Sequence, residues 1–211
     1  MKCTFLDFDK IKELTKDTNF NDDYVLKLEV TEDTQFVVDL NSLSNFSEIC
    51  IDFTFNKSNI NAHVIGIYSL KDDQKINTKL RAVHNVSNTS CMISVKGALY
   101  DNSFSYHLGE IYIGPKAFTT ESYLNDHTLM LSDKCRTVSL PNLQIYNNDV
   151  KASHGASIGS VDSDKLYYLQ SRGFDKDTAV DLLVTGFFES IFSEIIDENV
   201  ANNVKHKMLT L

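Results

Sequence analysis

Residues 141–174 read PNLQIYNNDVKASHGASIGSVDSDKLYYLQSRGF, and the architecture of the chain changes within them. Leu143 and Ile145 alternate with Gln144 and Tyr146, the two-residue period of a half-buried strand. A polar corner follows at Asn147, Asn148 and Asp149, and small residues then gather around His154, from Lys151 to Ala156. At Asp162 the period lengthens. Its carboxylate suits the free N–H groups that open a helix over 163–172, and Gly173 suits the left-handed stop that glycine adopts without steric cost. A strand region therefore leads into this stretch and a helical region leaves it.

Upstream, from residue 24 to about 140, apolar residues keep the period of two. Ile49, Ile51, Phe53 and Phe55 alternate with Cys50, Asp52 and Thr54, and strand-like runs follow at 63–69, 79–83, 91–95, 108–113, 129–131 and 138–143. No helix-length pattern separates them, which fits a sandwich or a solenoid alike. Ahead of them Phe8, Ile11 and Leu14 predict a short amphipathic helix over 7–17. Downstream, Val180, Leu183, Val184, Phe187, Ile191 and Ile195 line one side of a helix over 176–196, and Phe188 and Phe192 widen that surface. Val200, Val204 and Met208 suggest a third helix within 197–211. The expected organisation is a lead-in over 1–23, a β core over 24–160 and a helical segment over 161–211.

At 211 residues the chain can bury a sizeable core. Its net charge of -9 argues against a nucleic-acid partner, because phosphate binding calls for surplus Lys and Arg. No run approaches the roughly 18 apolar residues of a bilayer span. Asp7 and Asp9 fall where a signal peptide needs its apolar core, so a cytoplasmic protein is expected. Cys3, Cys50, Cys91 and Cys135 form no C-x-x-C pair, which indicates free thiols rather than disulfides or a zinc motif. No G-x-x-x-x-G-K-[ST] loop occurs, so the chain is not itself a P-loop ATPase. Ser153 and His154 are neighbours on extended chain and point to opposite faces, so they form no nucleophile dyad.

The opening stretch resembles the C-terminal signature of the SufB/SufD family, the scaffold proteins of the Suf iron-sulfur cluster assembly system. That signature runs P-x-L-E-I-x-x-x-D-V-K-x-S-H-G-A-x-x-G into L-x-Y-L-x-S-R-G. Pro141, Leu143, Ile145, Asp149, Val150, Lys151, Ser153, His154, Gly155, Ala156 and Gly159 match its first part, and Leu166, Tyr168, Leu169, Ser171, Arg172 and Gly173 its second. Gln144 departs from the usual glutamate. Similar residues reach back to His84-Asn85, whereas residues 1–83 share only strand character, and family members are usually about twice as long. The resemblance implies a right-handed parallel β-helix with a small C-terminal helical segment, shortened at the N-terminus.

It also implies a function: a non-enzymatic, SufD-like scaffold subunit that carries a transient iron-sulfur cluster. The β-helix would pair with itself or with a second SufB/SufD subunit, and the helices would dock the ABC-type ATPase SufC. His154, the histidine of the S-H-G-A signature, is then a cluster ligand, and Lys151, Ser153 and Gly155 flank the subunit interface. Taken without the resemblance, His154 reads first as a histidine held in a tight turn by its hydrogen bonds, since ligands come in sets. Cys135 and Cys91 are thiolate candidates or small core residues. Where SufB-type members carry their cluster cysteine this chain has Asp126, beside His127 as a substitute ligand. Tyr167, Arg172, Phe187, Phe188, Ile191 and Phe192 are the docking candidates. The alternatives are a degenerate member that keeps the helices but no cluster chemistry, and a left-handed β-helix acyltransferase with a catalytic histidine. The second lacks the hexapeptide repeats such a fold requires.

Overall fold

The computed structural model describes residues 1–15, 23–43 and 48–209. The ends of the helices expected to reach residues 17 and 211 lie outside the described residues. The order is β1 (Lys2–Leu6), α1 (Phe8–Thr15), β2 (Asp23–Glu29), β3 (Thr34–Asp39), a 3-10 turn (Leu40–Leu43), β4 (Glu48–Phe55), β5 (Ile60–Leu70) and β6 (Lys75–His84). Then come β7 (Thr89–Leu99), β8 (Phe104–Ile113), β9 (Thr120–Met130), β10 (Arg136–Ile145) and β11 (Val150–Ser160). The chain ends on α2 (Ser163–Ser171), α3 (Lys176–Phe192) and α4 (Glu198–Leu209).

Every strand pairs in parallel with the strand two places on. One sheet runs β1-β3-β5-β7-β9-β11 and the other β2-β4-β6-β8-β10. Thr34 pairs with Ala62, Ile60 with Thr89, Ser90 with Glu121 and Thr120 with Val150, so from β3 to β11 this sheet advances one coil every 28 to 31 residues. That register decides between the two β architectures that periodicity left open: the core is a parallel β-helix of about five turns followed by helices. Residues 1–23 were expected to lead into the core, yet β1 within them is hydrogen-bonded into the six-stranded sheet.

Because side chains alternate along a strand, each register position builds a column that is wholly inside or wholly outside the coils. Phe36, Val64, Ile93 and Leu124 form one inward column, and Val38, Gly66, Val95 and Asp126 the next. In the early coils these columns meet Ile49, Ile51, Phe53 and Phe55 from the other sheet in one apolar core. Leu6 and Ile11 also enter that core, which seats α1 at its first end. The corners repeat as the coils do. Asn59, Asn88 and Thr119 all take left-handed φ angles, 61°, 55° and 54°. Their N–H groups donate in turn to the carbonyls of Asn88, Phe118 and Asp149.

Asp162 caps α2 by accepting from the N–H groups of Asp164 (2.9 Å) and Lys165 (3.2 Å), and Gly173 turns left-handed at φ 98°. A second apolar cluster lies outside the coils. Phe188, Ile191 and Phe192 of α3, with Val204 and Met208 of α4, cover Val37, Ile65, Ile67 and Ala98 on the outer face of the six-stranded sheet. Polar pins fix this contact. Gln35 donates to the Glu194 carbonyl (2.8 Å) and accepts from Ile196 N–H (2.9 Å), Lys96 donates to the Phe187 carbonyl (2.7 Å) and to Ser190, and Lys207 Nζ lies 2.8 Å from buried Asp39.

Candidate functional site

Among the described residues no coil stacks on the last one. β10 and β11 are terminal strands of their sheets, 10 and 11 residues long; β10 is mostly half-buried and β11 mostly exposed. Their outer edges present a row of unpaired backbone N–H and C=O groups, the feature by which a sheet recruits another strand. Leu140, Ile145, Tyr146 and Ile158 are exposed apolar side chains on this coil.

His154 lies in the middle of β11, in a strand and not in a tight turn. Its register partner is Leu124, so it continues the inward column of Phe36, Val64, Ile93 and Leu124 as the first member without a coil above it. Lys151, Ser153 and Gly155 fall on the opposite, outward positions of β11. Lys151 Nζ is 2.6 Å from Glu121 Oε1, an exposed pair that adds little to stability.

The other ligand candidates are not brought to His154. His127 is three residues from Leu124 on β9 and so faces outward, where its Nδ1 is 2.6 Å from Ser157 Oγ. It lies in a groove of about 410 Å³ beneath α3, beside Lys96, Asn125 and Glu194. A sheet separates it from the His154 column, so the two cannot share one ion. Cys135 is fully buried in the corner before β10, with Sγ donating to the Ser132 carbonyl at 3.1 Å. Cys91 is buried too, and loss of solvent pushes its thiol up to about 12, which leaves it inert. Among the described residues no three His, Cys, Asp or Glu side chains are gathered for a metal ion.

The helical candidates divide. Phe188, Ile191 and Phe192 are buried against the sheet and Phe187 is partly buried, so this apolar face, expected to grip a partner, is occupied by the chain's own coils. α2 is different: it has no buried residue. Tyr167 is 75 % exposed and Tyr168 55 %, with the Arg172 guanidinium 5.2 Å from the Tyr168 ring centre. Exposed Phe174 and Leu182 were not anticipated; they enlarge this surface, and no periodicity marks them out. A crevice of about 400 Å³ lined by Leu129, Val161, Leu183, Gly186 and Phe187 opens between α2, α3 and β9.

A family model described as the SUF system FeS cluster assembly, SufBD core domain, matches residues 18–187. An iron-sulfur cluster assembly SufBD family protein of Synechocystis sp. is 30 % identical over 138 residues, 65 % of this chain and 28 % of that protein. One from Mycobacterium leprae is 30 % identical over 159 residues, 70 % of this chain and 41 % of that protein. A chloroplastic one from Arabidopsis thaliana is 27 % identical over 125 residues, covering 59 % of this chain and 22 % of that protein. The chain thus spans well under half the length of the relatives it matches.

Proposed function

The chain belongs to the SufB/SufD family of iron-sulfur cluster assembly proteins, and on that premise we propose that it is a scaffold subunit whose open last coil pairs with a second SufB/SufD-type subunit. The observation that carries this reading is the uncovered end of the β-helix. Two parallel strands of 10 and 11 residues stand with free edges and exposed apolar side chains, while the helices already shield the outer face of the longer sheet. An isologous contact lets one such edge meet its own copy, so a homodimer needs no second gene product. His154, at the top of its column, then sits in the seam. There an imidazole can take hold of iron in a cluster that the scaffold carries as cargo.

In this reading α2 is the arm that a SufC-type ATPase grips, through Tyr167, Tyr168 and Arg172. It offers amphipathic aromatic rings at low ordering cost and makes no competing core contact. The buried faces of α3 and α4 transmit load from that arm to the coils. The test is light scattering of the chain alone, then co-expression with a SufC-type ATPase. Ile158→Lys should give monomers, and Tyr167→Ala with Arg172→Ala should abolish co-purification while leaving the dimer. A wild-type chain that stays monomeric at high concentration, with the ATPase and without it, would refute the pairing.

A further inference from the structure

A polar groove of about 410 Å³ runs between the outer face of the six-stranded sheet and one side of α3, a size within the range of small-molecule sites. Its floor is built from two rungs of the sheet. Ser94 pairs with Asn125 on one and Lys96 with His127 on the other, and alternate residues of a strand share a face roughly 7 Å apart. Its wall is one face of α3, where Phe187, Ser190 and Glu194 follow at helical spacing. In the preceding coil the same register positions hold Ile65 and Ile67, which the helices cover. The outer columns thus turn from apolar to polar where this groove begins.

Two formal charges line this space, Lys96 from the floor and Glu194 from the wall. Lys96 Nζ donates to the Phe187 carbonyl at 2.7 Å and to Ser190 Oγ, and it lies 4.7 Å from the Phe187 ring centre. Among the described residues no carboxylate is in ion-pair contact with it, and the contact of Glu194 Oε2 is His63 Nε2 at 3.4 Å. Burial lowers the pKa of His63, so at pH 7 that ring is neutral. Burial also holds the Lys96 ammonium below its ordinary pKa and the Glu194 carboxyl above its own, an effect that their mutual attraction offsets in part. Unused donors complete the lining. His127 Nδ1 is 2.6 Å from Ser157 Oγ, and with that hydroxyl donating, Nε2 carries a proton that no group among the described residues accepts. The Asn125 side chain likewise makes no hydrogen bond among them.

We propose that this groove binds a free α-amino acid, its carboxylate taken by Lys96 and His127, its ammonium by Glu194, and Asn125 bonding between them. A simple anion entering the groove meets the charge of Glu194, and a simple cation meets that of Lys96. A zwitterion gives each end a partner of opposite sign through charge-assisted hydrogen bonds, so the pair of charges selects for it and against both single-charge ligands. The partly buried Phe187 ring leaves an apolar surface for the ligand's side chain. The site stands apart from the pairing seam, because the sheet lies between this outer groove and the inward column of His154. It does not depend on the scaffold reading.

The experiment titrates the purified full chain with each of the twenty common amino acids, and with acetate and methylammonium as single-charge probes, read by calorimetry and thermal melting. At least one amino acid should bind at one per chain, raise Tm, and bind about tenfold or more tighter than either probe. Glu194→Gln should weaken that binding about tenfold or more, and Asn125→Ala at least about threefold. Both residues are exposed, so the ligand-free variants should melt near wild type and lost binding there is not lost folding. Tyr167→Ala, on α2, should bind as wild type does. No saturable binding by any of the twenty, or binding that neither groove substitution weakens, would overturn the proposal. Acetate or methylammonium binding as tightly as the best amino acid would overturn it too, by reducing the groove to a single-charge site. A chain that binds the amino acid yet never dimerises would leave this site standing and sink only the pairing.

Discussion

Burial sets the acid limit of this protein one histidine at a time. The His84 ring stacks on Phe55 at 4.5 Å, and loss of solvent holds its pKa down to about 4. The folded state thus keeps it neutral where the unfolded chain, near 6.5, takes up a proton. Stability is complete above about pH 6.5 and drains away as pH falls toward 4, by roughly 3 kcal/mol for this residue. Burial lowers His63 and His107 in the same direction. The free energy of unfolding measured from pH 7 to 4.5 should fall, and His84→Gln should flatten that slope whatever it does to the absolute value. Thr119 offers the opposite opportunity. A β-branched residue at φ 54° is strained, and the same corner in the two preceding coils is held by Asn88 and Asn59. Thr119→Asn should raise stability by about 1 kcal/mol in urea titration, despite losing the 3.2 Å hydrogen bond to Asp149. An unchanged or lowered midpoint would show that this bond outweighs the strain.

Strands show where the sequence could be read and where its chemistry hid the structure. β4 announces itself because its inward residues, Ile49, Ile51, Phe53 and Phe55, are apolar and alternate. β9 and β11 do not: TESYLNDHTLM turns Thr, Ser, Asp and Thr inward, and VKASHGASIGS has no coil above it to bury anything. Hydropathy alternation vanishes where the core itself is polar, so β9 was legible only at Leu129 and Met130. The helices were placed to within a few residues because caps and apolar stripes are local signals. Their buried face pointed to a partner that proved to be the sheet. His154 stands out only through the family signature, and the side of the sheet that His127 faces was not legible, because the inside or outside of a strand depends on register. Close packing between strands gives a sharper test. A Cβ on Gly97 would lie 1.9 Å from the Tyr68 ring, so the ring lies flat on a glycine that cannot change. Gly97→Ala should cost at least about 3 kcal/mol, beyond the usual penalty of an added methylene. On α3, Phe188→Ala should cost about 3–5 kcal/mol by emptying the centre of the outer cluster. A loss below 1 kcal/mol would mean that this contact opens in solution.

A stack of coils, each touching only its neighbours, is at risk of coming apart from one end, like a spring losing turns. The helices on the outer face change that. Their apolar cluster takes in Cys3 and Phe5 of the first coil, Val37, Ile65 and Ala98 of the middle ones and Leu129 near the last, so a single hairpin of chain bridges nearly the full length of the ladder. A splint of this reach couples the coils from β1 to β9: they cannot part from one another without lifting the helices, and lifting them bares the middle strands. Removing residues 176–211 should therefore broaden the melting curve and make amide exchange graded along the coils, where the intact chain melts as one unit. The same splint spreads a load taken up by α3 over the strands from β1 to β9 at once.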